Sequence, residues 1–170
     1  MDQIISGLAA PFHRAGDSTT QYVMPDSRIE RFAPSAFATT LAGSRPIQAC
    51  LHHNRRVVLA STGDNTLRLR TDTRGLWFAL TVPDWLGRGL ADEITGSLSG
   101  ASICFGALTE REFTEHGQRV REITQARLTE VSILTRPLQP AYAATGLNIR
   151  LSRIGRGDMA LRLALVSHTF

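Results

Sequence analysis

Lysine is absent from this chain of 170 residues: all 19 of its basic residues are arginine. That excludes a Ser-Lys dyad, a Schiff-base lysine and the phosphate-gripping lysine of a Walker loop. Cysteine is nearly as scarce. Cys50 and Cys104 stand alone, too few for a disulfide framework or for a zinc site built from several thiolates. Each reads first as a small buried hydrophobe. No run approaches the roughly 20 apolar residues that span a bilayer. Met1-Asp2-Gln3 lacks the basic start and apolar stretch of a secretory signal. A soluble protein of the cytoplasm is expected, with no membrane partner. Internal repeats and low-complexity linkers are also missing.

What is present is the composition of an ordinary globular domain, 42% hydrophobic and 20% charged. A chain of this length buries roughly two-thirds of its unfolded surface in one core. The net charge of +4 is unevenly placed. Residues 150–170 carry Arg150, Arg153, Arg156 and Arg162 against Asp158, whereas 15 arginines face 14 acids before them. The division expected is a domain over residues 1–145 and a basic tail over 146–170. Such a tail suits an acidic partner, nucleic acid or plain solvent. The charge does not make the chain a nucleic-acid-binding domain.

Short strand patterns dominate. Residues 4–10 and 21–24 read as strands, as do 47–53 and 57–61, the last two separated by Asn54-Arg55-Arg56. Residues 66–70 alternate apolar and charged side chains, the period of a half-buried strand. Residues 76–82 follow a hairpin-like Asp72-Thr73-Arg74-Gly75. Helices are expected over 34–41, opened by Pro34, and after Pro83-Asp84, where Leu86, Leu90, Ile94 and Leu98 recur at helical spacing. Residues 101–108, 119–124 and 128–134 read as further strands. The fold class expected is mostly β with helices (α+β): a small closed or nearly closed β-barrel with helices packed around it.

Among five histidines, His13, His116 and His168 give no chemical signal. His52 and His53 end an apolar strand, and strand parity sends them to opposite faces. That geometry is poor for metal chelation, and no metal or cofactor is expected. Ser102 lies among small residues in Gly100-Ala101-Ser102, which leaves room for a substrate carbonyl; Cys104, on the same face, is a rival nucleophile. The order helix-then-strand, with Cys104 two residues on, is not the nucleophile elbow of α/β-hydrolases. Glu130 interrupts an apolar strand beside Ser132, and a carboxylate there needs a partner, either an arginine or a histidine that it would orient.

Several blocks together resemble the tailed-phage (caudovirus) prohead serine protease family, across most of residues 3–143. They are Glu30-Arg31-Phe32-Ala33-Pro34-Ser35-Ala36-Phe37, Leu51-His52-His53-Asn54, Gly100-Ala101-Ser102-Ile103-Cys104-Phe105 and Leu128-Thr129-Glu130-Val131-Ser132. Cys104 stands where the family pattern has glycine. The resemblance implies a triad of His53, Ser102 and Glu130 and the fold of herpesvirus assemblins. It implies an endopeptidase that cleaves scaffold or major capsid protein, and its own chain, inside the procapsid in the bacterial host. It leaves a homodimer open. A non-catalytic assembly protein with a degenerate protease fold is the competing reading, and Arg136 is a candidate contributor to the oxyanion site.

Overall fold

The computed structural model describes residues 2–154. Among the described residues ten strands make two sheets, and helices are short. In chain order the strands are β1 (Asp2–Pro11), β2 (Tyr22–Val23), β3 (Ile29–Phe32), β4 (Gln48–Leu51), β5 (Asn54–Ser61), β6 (Leu67–Thr71), β7 (Gly75–Thr81), β8 (Leu98–Glu115), β9 (Gln118–Thr135) and β10 (Ile149–Ile154). The helices are α1 (Ala38–Ala42), α2 (Gly87–Gly96) and α3 (Ala143–Leu147). One sheet runs β10-β1-β7-β6, entirely antiparallel. The other runs β2-β3-β9-β4-β5, with β8 also paired to β9. One bridge between Phe12 and Phe32 joins the two sheets. Among the described residues neither sheet closes on itself, so the expected barrel is not formed by either ladder alone.

Strand β9 organises the second sheet. Its whole length pairs antiparallel with β8, while parallel β3 and β4 share its other edge at residues 120–123 and 130–133. The gap between them is filled by the turn before α1 and by α1 itself. Ala126 N donates to Ala36 O at 2.7 Å, and the Thr40 hydroxyl donates to Ala126 O while accepting from Leu128 N. These bonds satisfy Ala126 N, Ala126 O and Leu128 N where no strand pairs with that edge, as burial demands. Inward residues of both sheets, Ile5 and Phe78 from one and Val131 and Ile133 from the other, meet in one core. Phe32 packs within 5.4 Å of Phe37, Phe105 and Tyr142, tying the start of the chain to the middle of β8.

Several boundaries differ from those expected. The separate strands over 101–108, 119–124 and 128–134 are parts of one long β8–β9 hairpin. Its register shifts at Cys104/Phe105 and around Thr109, and these bulges break the alternation that would mark a continuous strand. Asn54, Arg55 and Arg56 belong to β5 and not to a loop. Helix α2 begins only after a 3-10 turn at Asp84–Leu86, where Gly87 takes φ 69°. Past the expected domain boundary, β10 pairs with β1 from Gly7↔Ile149 to Asp2↔Ile154. The remainder of the tail lies outside the described residues.

The β6–β7 hairpin shows how one side chain sets a turn. Asp72 Oδ1 accepts from the amides of Arg74 (2.7 Å) and Gly75 (3.2 Å) and from the Trp77 indole (2.8 Å). Burial alone would raise the Asp72 carboxyl, but these three donors outweigh it and hold it below its ordinary range. The lowered value means that its stabilisation is present above the unfolded aspartate value of about 4 and is lost as pH falls through the folded one. Asp72→Ala is expected to lower stability in urea denaturation at pH 7 by about 1–3 kcal/mol. The gap between variant and wild type should shrink on acidification below about pH 4.

Candidate functional site

The β4–β5 connection consists of two residues, His52 and His53, with φ of 52° and 59°. Both angles are positive, as in the type I′ turns that join twisted strands most tightly. The expectation of a strand running to residue 53 is therefore corrected: the two histidines diverge because they form a turn, not because of strand parity. Histidine visits this region more readily than most side chains, yet each such residue costs on the order of 1–2 kcal/mol. Hydrogen bonds hold the turn in place. His52 Nε2 lies 2.8 Å from Thr135 Oγ1 and accepts from the Thr135 amide, while the His53 amide donates to Ser132 Oγ at 2.9 Å.

Below this turn sits Glu130, only 2% exposed. Its Oε1 accepts from Ser132 Oγ at 2.7 Å and lies 2.9 Å from His53 Nδ1; its Oε2 accepts from Arg55 Nε at 3.2 Å. Burial would raise this carboxyl, but the Ser132, His53 and Arg55 bonds together bring it below its ordinary value. Glu130 is thus an anion at neutral pH, and an anion accepts. Nδ1 must carry a proton, and in the neutral tautomer that leaves a lone pair on Nε2. Of the alternatives open in the sequence, Glu130 takes both a histidine and an arginine. The sequence did not single out Ser132 and Arg55 as partners, although Ser132 lies two residues from Glu130, the spacing of a shared strand face.

Strand pairing brings the third expected residue alongside. Ser102 is registered opposite Ser132, and Cys104 opposite Glu130. Directly opposed residues of an antiparallel pair have Cβ atoms about 4.5–5.5 Å apart on one face. Ser102 is half-buried. Among the described residues no hydrogen bond joins its hydroxyl to His53, whose side-chain contacts are Glu130 and Cys104. Gly100 has a packing role of its own. A Cβ on Gly100 would lie 2.8 Å from Pro140 Cγ and 3.2 Å from Gly146 Cα, so the space is occupied by the chain leading into α3. Thr145 Oγ1 donates to Ala101 O there, at 2.7 Å.

Cys104 Sγ lies 3.4 Å from His53 Nδ1. That nitrogen, protonated and donating to Glu130, has no lone pair with which to take a thiol proton. Burial and the nearby Glu130 charge also push the thiol up. Cys104 is therefore a poor nucleophile in this setting. The Arg136 amide donates to Ser97 O and its guanidinium to Gly96 O, which removes that amide from any oxyanion site. Donor atoms of His53, Cys104 and Glu130 all lie within 4.8 Å of one another.

Comparison with known proteins places this geometry in context. The profile described as caudovirus prohead serine protease matches residues 2–159. Similar solved structures include varicella-zoster virus protease, with 11% identity and a TM-score of 0.53, covering 98% of this chain and 77% of that one. KSHV protease in complex with a hexapeptide phosphonate inhibitor gives 12% identity and a TM-score of 0.52, with the same coverage. At such identities the likeness is one of fold. No curated protein matches the chain.

The tautomer of His53 is directly measurable. At a pH where the ring is neutral, nitrogen-detected NMR should show His53 protonated on Nδ1 in the wild type. Glu130→Gln should move the proton toward Nε2, because an amide can donate to Nδ1. A bare Nδ1 in the wild type would contradict the assignment.

Proposed function

The chain belongs to the caudovirus prohead serine protease family, and we propose that Ser102, His53 and Glu130 are the catalytic triad of this capsid-maturation serine protease. The observation that carries the reading is the His53–Glu130 contact beneath a strained turn, with Ser102 registered opposite Ser132. His53 Nε2 takes the Ser102 proton as the hydroxyl attacks a peptide carbonyl, then gives it to the leaving amine. Glu130 keeps the proton on Nδ1 and stabilises the imidazolium that forms. The absence of lysine leaves histidine as the available base. An open Ser102–His53 distance is ordinary for an enzyme without substrate, since catalytic hydrogen bonds tighten on binding.

The substrates proposed are scaffold or major capsid-protein segments and the enzyme's own chain beyond residue 145, cut inside the procapsid in the bacterial host. Among the described residues no helix is long and apolar enough to cross a membrane. The two sheets, joined at Phe12 and Phe32, are read as the two halves of one nearly closed barrel.

Ser102→Ala is expected to lower cleavage of the cognate capsid precursor at least about 10³-fold while circular dichroism and urea unfolding stay unchanged. An active Ser102→Ala protein would sink the assignment. A wild type that cleaves neither capsid precursor, scaffold nor itself would favour the degenerate, non-catalytic reading.

A further inference from the structure

His53, Cys104 and Glu130 combine a nitrogen, a sulfur and a carboxylate oxygen around one point, reached from the β4–β5 turn, β8 and β9. Nδ1 is 2.9 Å from Glu130 Oε1 and 3.4 Å from Cys104 Sγ, with every pair of donor atoms inside 4.8 Å. Zinc bonds of about 2.0–2.3 Å place neighbouring tetrahedral donors about 3.3–3.8 Å apart. Shifts of under roughly 1 Å bring the three into range. A thiolate with an imidazole selects zinc-class cations over magnesium or calcium.

Supporting contacts are already in place. Ser132 Oγ donates to Glu130 Oε1, as outer groups do around metal ligands, while Arg55 Nε donates to Oε2. Glu130 is buried, Cys104 half-buried and His53 exposed, so the donors open toward solvent. Three protein ligands leave one coordination position for water.

We propose that His53 Nδ1, Cys104 Sγ and Glu130 bind one zinc-class divalent cation, and that its occupancy switches the protease off, the second half resting on the catalytic reading above. When the cation binds, the thiol proton leaves to solvent. The ring proton passes through solvent from Nδ1 to Nε2, and the Nδ1 lone pair goes to the metal. Protonated at Nε2, the ring has no pair left to take the Ser102 proton. Removing the cation restores the tautomer that Glu130 imposes. Cys104 is dispensable for this chemistry, since the triad is complete without a thiol.

The test is titration of the purified, tag-free full chain with Co²⁺, followed by competition with Zn²⁺. A thiolate-to-cobalt charge-transfer band should appear at one equivalent and vanish when Zn²⁺ displaces the cobalt. Cys104→Ser should lose the band, Cys50→Ala should keep it, and His53→Ala should weaken binding by more than about 100-fold. The histidine variant also carries the test if the serine variant does not fold. No band in the wild type, or a band surviving in Cys104→Ser, would overturn the site. In the activity arm, Zn²⁺ should stop capsid-precursor cleavage and EDTA should restore it. Cys104→Ser should cleave normally and resist Zn²⁺; equal inhibition of that variant would overturn the switch. A wild type that binds cobalt and cleaves nothing would refute the protease reading and leave the metal site standing.

Discussion

A carboxylate that is 2% exposed in the middle of a sheet is tolerable only if its oxygens are satisfied. Glu130 meets that condition with donors from three places: Ser132 on its own strand, His53 in the β4–β5 turn and Arg55 at the start of β5. Each partner is thereby fixed in turn. The histidine cannot rotate its ring without taking one of three donors from the anion, and the turn cannot relax its positive φ angles without losing the His53 amide bond to Ser132. The strain is retained because the surroundings over-determine it, which is the circumstance in which functional sites keep such geometry.

The same device recurs at the other end of β9. Glu30, on β3, accepts from the Tyr142 hydroxyl and from Arg121, each at 2.9 Å. Glu122, on β9, is paired with Arg31 at 2.9 Å and also with Arg111. Both carboxylates are buried. Burial raises the Tyr142 hydroxyl far above its ordinary range, with the Glu30 charge adding to it, so Tyr142 stays a donor. Buried ion pairs are a doubtful source of net stability but a strong constraint on register. A one-residue slip of β3 against β9 would carry these charges to the wrong face. The Glu30-Arg31-Phe32 block is thus structural. It locks the parallel pairing of β3, as Glu130 locks that of β4.

The site was legible in the sequence to the extent that chemistry appears as an anomaly. Glu130 stood out as a charge in an apolar strand, and the pair of histidines as an interruption of another. The Leu67-Arg68-Leu69-Arg70 alternation likewise revealed β6. Three things were hidden. Bulges at Cys104 and Thr109 shift the alternation by one residue, so one long hairpin read as several pieces. The His52–His53 turn lacks the glycine or asparagine that usually marks φ above zero, because tertiary hydrogen bonds replace local preference there. The proximity of Cys104 to His53 depends on the register of β8 against β9, which no single strand displays.

That last proximity separates two roles that the same atoms can fill. A lone imidazole nitrogen offers a proton or a pair of electrons, never both. While Glu130 is its only strong partner, Nδ1 holds the proton and Nε2 holds the pair, which is the arrangement a serine needs from its base. A cation at Nδ1 reverses the assignment without moving the ring. Cys104 adds a sulfur and takes nothing from the proposed triad, since its thiol faces the nitrogen that donates to Glu130. Arg55 sets the balance between the two states. Its guanidinium, two-thirds exposed, shares the Glu130 charge on Oε2 and opposes an arriving dication. A side chain that free can swing into solvent at little cost. The proposed triad and a cation thus compete for one carboxylate, and Arg55, more exposed than His53, is the partner able to yield.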